Sequence, residues 1–144
     1  MVGLIITGHG HFATGLGSSL KLITGNTENI VYVDFEEAHS TEVLTENLNK
    51  ALDELKGCEG VLVLADLAGG SPFKCAVECK YARPEQNVEV VAGTNLPMLV
   101  EGSMMMGAFE DPLVLAEMLL QTGKEYMIRF ELEKLEDAEE EDGI

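Results

Sequence analysis

The stretch VGLIITGHGHFATGL, residues 2–16, passes from a strand pattern to a helix pattern within a few residues. Residues 2–7 form a short apolar run that is typical of a buried strand. From Phe12 onward the apolar residues recur at helical spacing. His9 lies at the junction with a glycine on either side, so the backbone can turn tightly and leave the imidazole uncovered. The stretch therefore predicts a strand, an exposed histidine and a helix in direct succession.

The same alternation of strand and helix patterns continues along the chain. Further strands are predicted at 29–35, 60–66 and 88–93. A second helix is predicted from Ser40 or Thr41 to Gly57, and a third begins with Ser71 as N-cap and Pro72 as its first residue. Further helical segments are predicted around 97–106 and 111–122. The connections between these segments are short. The sequence thus predicts an α/β protein: a single doubly wound domain with a mostly parallel central sheet flanked by helices.

The C-terminal part of the chain departs from this alternation. EYMIRFEL, residues 125–132, has the composition of a last strand, but no helix pattern follows it. We expect this strand to pair antiparallel, at a sheet edge or against another subunit. Residues 131–144 contain eight acidic residues and one lysine. We therefore divide the chain into a domain at 1–130 and an acidic tail at 131–144, for which a solubilising role is the simplest interpretation.

Composition excludes several classes of function. The net charge of −17 would repel nucleic acid, whose binding depends on lysine and arginine contacts to phosphate. No apolar run approaches the roughly 20 residues that span a bilayer, and the N-terminus lacks the basic region of a signal peptide. The three cysteines have no C-x-x-C spacing and are expected to be reduced. These features predict a cytoplasmic protein that does not bind nucleic acid.

Polar residues follow the predicted strands at the sheet edge where doubly wound proteins bind ligands. His9 follows the first strand and Asp66 the third, while Thr94 and Asn95 follow the fourth. A neutral imidazole offers a nucleophilic nitrogen if an acceptor holds the proton on its other nitrogen. Asp66 is the candidate for that acceptor. The alternative is that Asp66 only caps the next turn and that His9 is simply exposed.

The segment after Asp66 adds an anion-binding pattern. Gly69 and Gly70 let the backbone approach a ligand closely, and the helix that begins near Ser71 presents free N–H groups with the positive end of its dipole. Ser71 also offers a hydroxyl. Such a helix start suits phosphate, although the same residues are common at helix starts without a ligand.

Two other interpretations use the first glycine turn. Gly8-x-Gly10-x-x-Ala13 after a strand matches a dinucleotide-binding fingerprint, with Asp34 where a ribose-binding acid belongs. That interpretation leaves His9 and Asp66 without a role, and the chain is short for such a fold plus a substrate domain. His9 and His11 could also chelate a metal from one strand face, but too few further ligands are recognisable, so we expect no metal and no cofactor.

Three motifs together carry a family resemblance: IITGHG at 5–10, DLAGGSPF at 66–73 and AGTNLPMLVE at 92–101. In this order and spacing they resemble the enzyme IIA domain of the mannose family of the bacterial sugar phosphotransferase system, over about residues 2–130. The opening, the Ser40–Leu44 stretch STEVL and the terminal EEDGI are most similar to N-acetylgalactosamine or galactosamine components.

The resemblance implies a phosphotransferase that works through a phosphohistidine. His9 falls on the phosphorylated histidine and Asp66 on the carboxylate that orients it. The phosphoryl group would lie beside Gly10, Gly69, Gly70 and Ser71, and we place Thr94 and Asn95 at the rim without a chemical role.

The resemblance also implies partners. His9 would accept a phosphoryl group from the phosphocarrier HPr and pass it to a histidine of enzyme IIB, which serves the membrane components IIC and IID. Family members are typically homodimers that exchange their last strand, which would explain residues 125–132. The alternative within this chemistry is a regulatory module that uses the phosphohistidine as a signal without feeding transport.

Overall fold

The computed structural model describes residues 1–26 and 28–132 as an alternation of strands and helices, as predicted. The elements are β1 (Val2–His9), α1 (Phe12–Ile23), β2 (Ile30–Phe35), α2 (Thr41–Glu54), β3 (Gly60–Ala65), α3 (Ser71–Ala82), β4 (Val88–Val91), α4 (Leu96–Met105), a 3-10 turn (Met106–Ala108) and α5 (Pro112–Glu125). The four strands form one parallel sheet in the order β2-β1-β3-β4. The predicted doubly wound α/β fold is confirmed.

The sheet is covered by helices on both faces because its central strands are apolar on both sides. All residues of β3 are buried, as are all residues of β1 except His9 at its end. Alternate residues point to opposite faces, so Leu4 and Ile6 pack with α1, α4 and α5, whereas Ile5 packs with α2 and α3. Continuous burial of this kind is typical of parallel strands between two helical layers.

Side-chain caps set the starts of three helices close to their predicted positions. Ser40 Oγ accepts a hydrogen bond from the N–H of Val43 at 3.2 Å, which begins α2. Asp111 caps α5 in the same way through the N–H of Leu113, at 2.9 Å. The third such cap, Asn95, begins α4. These bonds satisfy N–H groups that have no partner within the helix.

The start of α3 differs by one residue from the prediction. Gly70, not Ser71, is the N-cap, with φ −98° and ψ 166°, and Pro72 is the second helical residue. The His9 ring lies so close to Gly70 that a Cβ there would be 2.5 Å from His9 Cε1, so this position favours glycine. Because Gly70 is the N-cap, the Ser71 hydroxyl does not cap the helix.

The strand predicted at 125–132 is not formed within this chain. Glu125 ends α5 and residues 126–131 have no regular structure. The segment forms no ladder with β2 or β4, the two edge strands of the sheet, and its apolar side chains are exposed. Exchange with a second chain remains a prediction. Most of the acidic tail, including EEDGI, lies outside the described residues.

Across residues 1–26 and 28–132, no helix combines the length and the apolar character that a bilayer crossing requires. The three cysteines are free thiols, two of them buried in α3, as expected from their spacing.

Candidate functional site

The predicted histidine and carboxylate meet at the carboxyl end of the sheet. β1 ends at His9, and Asp66 follows β3, its parallel neighbour. His9 Nδ1 lies 2.7 Å from Asp66 Oδ2, and the backbone N–H of His9 donates to the same oxygen at 2.9 Å. The other carboxylate oxygen of Asp66 accepts the N–H of Leu67 at 2.7 Å. The Asp66 carboxylate is therefore held by N–H groups at the ends of β1 and β3, and it in turn holds the His9 ring.

These contacts determine the charge state of Asp66. Burial alone would raise the pKa of Asp66, but the hydrogen bonds from the backbone and ring of His9 and from the N–H of Leu67 outweigh it, and the pKa lies below the usual value of an aspartate. An ionised carboxylate only accepts hydrogen bonds, so the proton of a neutral His9 ring lies on Nδ1. The lone pair is then on Nε2.

The second nitrogen of the ring faces the open side of the site. The His9 side chain is 46% exposed, whereas that of Asp66 is 11% exposed. Phe35, at the end of β2, contacts the ring edge-on, with centroids 5.9 Å apart and planes at 64°. Asp66 and Phe35 thus hold the ring in one orientation, and Asp66 engages only its Nδ1.

The N-terminus of α3 lies directly beside the ring. A Cβ on Gly70 would be 3.2 Å from His9 Nε2, so the backbone at the helix start is close to the nucleophilic nitrogen. Lys74 N–H begins the helical ladder by bonding to the Gly70 carbonyl at 3.1 Å. The N–H groups of Ser71 and Phe73 precede that ladder and carry the positive end of the helix dipole. This arrangement can hold a phosphoryl group attached to Nε2.

The other predicted glycines differ in what they offer. Gly10 has φ +58°, which favours glycine, and its N–H donates to the Phe35 carbonyl at 2.7 Å. That N–H is therefore used by the fold and is not free for a phosphoryl group. Gly69 is exposed, and a Cβ there would meet nothing within 4 Å. The backbone before α3 is thus open to a ligand at Gly69.

Thr94 and Asn95, predicted at the rim, form hydrogen bonds within the fold. Thr94 Oγ1 donates to the Ala65 carbonyl at 2.7 Å and is buried. Asn95 accepts the N–H of Met98 as the cap of α4, and its Nδ2 donates to the Gly123 carbonyl at 3.0 Å. Both residues therefore connect the end of β4 to neighbouring elements, which is a structural role.

Asp34, the ribose-binding acid of the dinucleotide interpretation, is also bonded within the fold. Its two carboxylate oxygens accept the N–H of Thr14 at 3.0 Å and the Thr14 hydroxyl at 2.6 Å. Asp34 thus ties β2 to the first turn of α1. The glycine turn itself holds His9, which that interpretation leaves without a role.

Sequence reasoning missed two features of this rim. Phe35 was predicted only as the end of a strand, although its register partner on β1 is His9. Glu36 was not singled out, yet its Oε1 lies 2.5 Å from Nε2 of His11, the N-cap of α1. The signal for both was their position at the carboxyl end of β2, which lies at the same edge of the sheet as the carboxyl ends of β1 and β3.

Comparison with known proteins identifies the class as components of the phosphotransferase system (PTS). A family model, EIIA-man, described as PTS system fructose IIA component, matches residues 3–119. The crystal structure of phosphotransferase system component EIIA from Streptococcus agalactiae has a TM-score of 0.84 and 30% sequence identity, covering 90% of this chain and 98% of that chain. This chain belongs to the EIIA-man family, so the resemblance to mannose-family IIA components is confirmed.

The similar proteins differ in the share of their own length that this chain covers. The PTS mannose-specific EIIAB component of Escherichia coli (strain K12) is 35% identical over 126 residues, which are 86% of this chain but 38% of that protein. The PTS fructose-specific EIIA component of Bacillus subtilis (strain 168) is 34% identical over 101 residues, 70% of this chain and 68% of that protein. These names do not include galactosamine, and that subgroup remains a prediction.

Proposed function

We propose that this chain is a phosphoryl carrier in sugar uptake, which accepts a phosphoryl group from phospho-HPr on His9 and passes it to a histidine of a cognate enzyme IIB. The observation that carries the proposal is the 2.7 Å contact between His9 Nδ1 and Asp66 Oδ2, which leaves Nε2 as an exposed nucleophile. Membership of a phosphotransferase family supports the same chemistry. We place this exchange in the cytoplasm, upstream of the membrane components IIC and IID.

The proposed transfer is a substitution at phosphorus. The Nε2 lone pair of His9 attacks the phosphorus, a new N–P bond forms, and the bond to the HPr nitrogen breaks with its electron pair remaining on HPr. The His9 ring keeps its Nδ1 proton and gains positive charge, which the Asp66 carboxylate at 2.7 Å stabilises. In the transfer to enzyme IIB, the histidine of IIB attacks the phosphorus and the bond to His9 Nε2 breaks. The same arrangement of His9 and Asp66 therefore serves both transfers.

The oxygens of the phosphoryl group require donors rather than further covalent chemistry. The N–H groups of Ser71 and Phe73 and the Ser71 hydroxyl lie at the start of α3, beside Nε2. Water must also be excluded during transfer, and the exposed rim leaves that task to the partner that covers it. A shallow site is therefore consistent with a substrate that is itself a protein side chain.

Onward transfer distinguishes the carrier from the regulatory alternative. The protein is first phosphorylated with phosphoenolpyruvate, enzyme I and HPr, separated from them, and then mixed with an enzyme IIB of the mannose family. A carrier loses its phosphoryl group to IIB within the mixing experiment, at a rate that depends on IIB concentration. A stable phosphohistidine that IIB does not discharge would contradict the transport role and favour a signalling module.

The close approach of Gly70 to the ring gives a positional prediction. Gly70→Ala places a methyl group 2.5 Å from His9 Cε1, so the ring must move away from α3. We expect phosphorylation by phospho-HPr to slow roughly 10- to 100-fold, because misplaced reacting atoms lose the benefit of orientation. Gly57→Ala is the matched control, since a Cβ there meets nothing within 4 Å and lies beyond α2. Equal rates for both variants would contradict this role of Gly70.

We also propose that the chain is a homodimer whose copies exchange the segment after α5. Alternate side chains of that segment, Tyr126, Ile128, Phe130 and Leu132, are apolar and 63–78% exposed. Side chains that alternate in this way share one face of a strand, and such a face needs a core to cover it. The partner chain supplies both a sheet edge and that core.

Sedimentation of the purified protein tests the dimer. We expect the wild type to sediment with the mass of two chains and Ile128→Asp with the mass of one, because a buried unpaired carboxylate would oppose the exchange. Arg129→Gln is the control, as Arg129 lies on the opposite strand face and pairs with Glu131 at 2.9 Å. A monomeric wild type at micromolar concentration would contradict the proposed exchange.

A further inference from the structure

A second group of titratable side chains lies on the same rim but outside the phosphoryl site. His11, Asp34 and Glu36 each offer one ligand atom, and these atoms all lie within 4.8 Å of one another. The His11 ring engages Glu36, with Nε2 2.5 Å from Oε1, whereas the His9 ring engages Asp66. The two histidines therefore face different carboxylates, and the second group is not used in the proposed transfer.

We propose that His11, Asp34 and Glu36 bind a divalent transition-metal ion of the zinc type. One imidazole nitrogen and two carboxylate oxygens form a three-ligand set that leaves a fourth position for water, as in open zinc sites. The imidazole selects against Mg²⁺ and Ca²⁺, which prefer oxygen ligands alone. The ligand atoms come from the cap of α1, the end of β2 and the loop after it, so the ion would link three parts of the chain.

The Asp34 carboxylate is held in place for this role. Thr14 donates to both of its oxygens, from the backbone N–H at 3.0 Å and from the hydroxyl at 2.6 Å. Each carboxylate oxygen keeps a second acceptor site that is available to an ion. Hydrogen bonds of this kind orient a ligand before the metal arrives and increase the affinity of the site.

His39 lies on the other side of the Glu36 carboxylate. The backbone N–H of Glu36 donates to His39 Nδ1 at 3.0 Å, so the proton of a neutral His39 ring lies on Nε2. That nitrogen is 3.7 Å from Glu36 Oε2. His39 therefore faces one oxygen of the carboxylate and leaves the other toward His11.

Binding requires a small rearrangement between His11 and Glu36. Two ligands of one tetrahedral zinc ion lie about 3.3 Å apart, given bond lengths near 2.0–2.2 Å. The present 2.5 Å separation of Nε2 and Oε1 must therefore widen as the ion replaces the proton between them. That proton moves to Nδ1 of the ring or to water. Both side chains are exposed, His11 by 70% and Glu36 by 47%, so they have room for the shift.

Calorimetric titration of the full chain with Zn²⁺ tests the site, with millimolar Mg²⁺ present to occupy the acidic tail. We expect one zinc ion per chain with saturable binding. Glu36→Gln and His11→Gln should each weaken binding at least tenfold, because a ligand is lost. Glu37→Gln is the matched control: it removes the same charge from the adjacent, exposed residue, and we expect the affinity to stay within twofold.

Three outcomes would overturn the proposal. The first is the absence of saturable zinc binding in the wild type. The second is equal weakening by Glu36→Gln and Glu37→Gln, which would reveal only diffuse attraction to acidic charge. The third is loss of zinc binding in His9→Ala, which would place the ion at the His9–Asp66 pair. Phosphorylation by HPr is measured separately without zinc, so failure of the metal site and failure of the carrier function are distinguishable.

Discussion

His9→Ala is expected to abolish phosphorylation of the protein by phosphoenolpyruvate, enzyme I and HPr. The substitution removes the only nitrogen that the Asp66 contact presents as a nucleophile beside the start of α3. No group within the described rim can replace it, because the His11 ring is directed to Glu36. Intact mass of the wild type and variant, treated in the same reaction, measures the effect.

The fold should survive this substitution because His9 contributes little to the core. Its side chain is 46% exposed at the end of β1, whereas the buried part of that strand is unchanged. We expect the circular dichroism spectrum of the variant to match the wild type. A His9→Ala protein that still gains one acid-labile phosphoryl group would refute the assignment of the nucleophile.

Asp66→Asn is expected to slow phosphoryl acceptance by about 10²–10³-fold, the usual cost of removing one preorganised electrostatic partner. An amide cannot offset the positive charge that develops on the His9 ring. Its NH₂ group could also donate to Nδ1, which would favour the tautomer with the proton on Nε2 and the lone pair on the wrong nitrogen. Rapid-quench kinetics with phospho-HPr in excess measures the loss.

A tautomer readout separates this role from a merely structural one. Nitrogen NMR of the imidazole should show the proton of the neutral ring on Nδ1 in the wild type and a shift toward Nε2 in Asp66→Asn. Asp53→Asn serves as a control, because Asp53 lies on α2, away from the rim, and pairs with Arg83 and Lys56. Unchanged kinetics and an unchanged tautomer in Asp66→Asn would contradict the orienting role.

The sheet and its ligand-binding edge were predictable because each depends on local pattern. Short apolar runs identified the four parallel strands, and the rule that ligands bind at their carboxyl ends brought His9 and Asp66 together before any coordinates. The resemblance of the three motifs to mannose-family IIA domains then indicated phosphoryl transfer through His9. The helix cap at Ser40 likewise follows from residues adjacent in sequence.

The features that were missed depend on contacts between residues distant in sequence. The close approach of Gly70, the cap of α3, to the His9 ring joins residues that are 61 positions apart in the sequence. The pairing of His11 with Glu36 depends on the β1–β2 register and on the turn after β2. Residues 126–132 carry a strand pattern that their own chain does not complete, so no single-chain rule could place them.

The position of the phosphoryl group on the phosphorylated protein is the most direct test of the account. The protein is phosphorylated through phosphoenolpyruvate, enzyme I and HPr, its mass is determined, and phosphorus and nitrogen NMR identify the bonded atom. The account predicts one acid-labile phosphoryl group, bonded to Nε2 of His9. Attachment to Nδ1 of His9 or to another residue, or no transfer while HPr itself is phosphorylated, would contradict it.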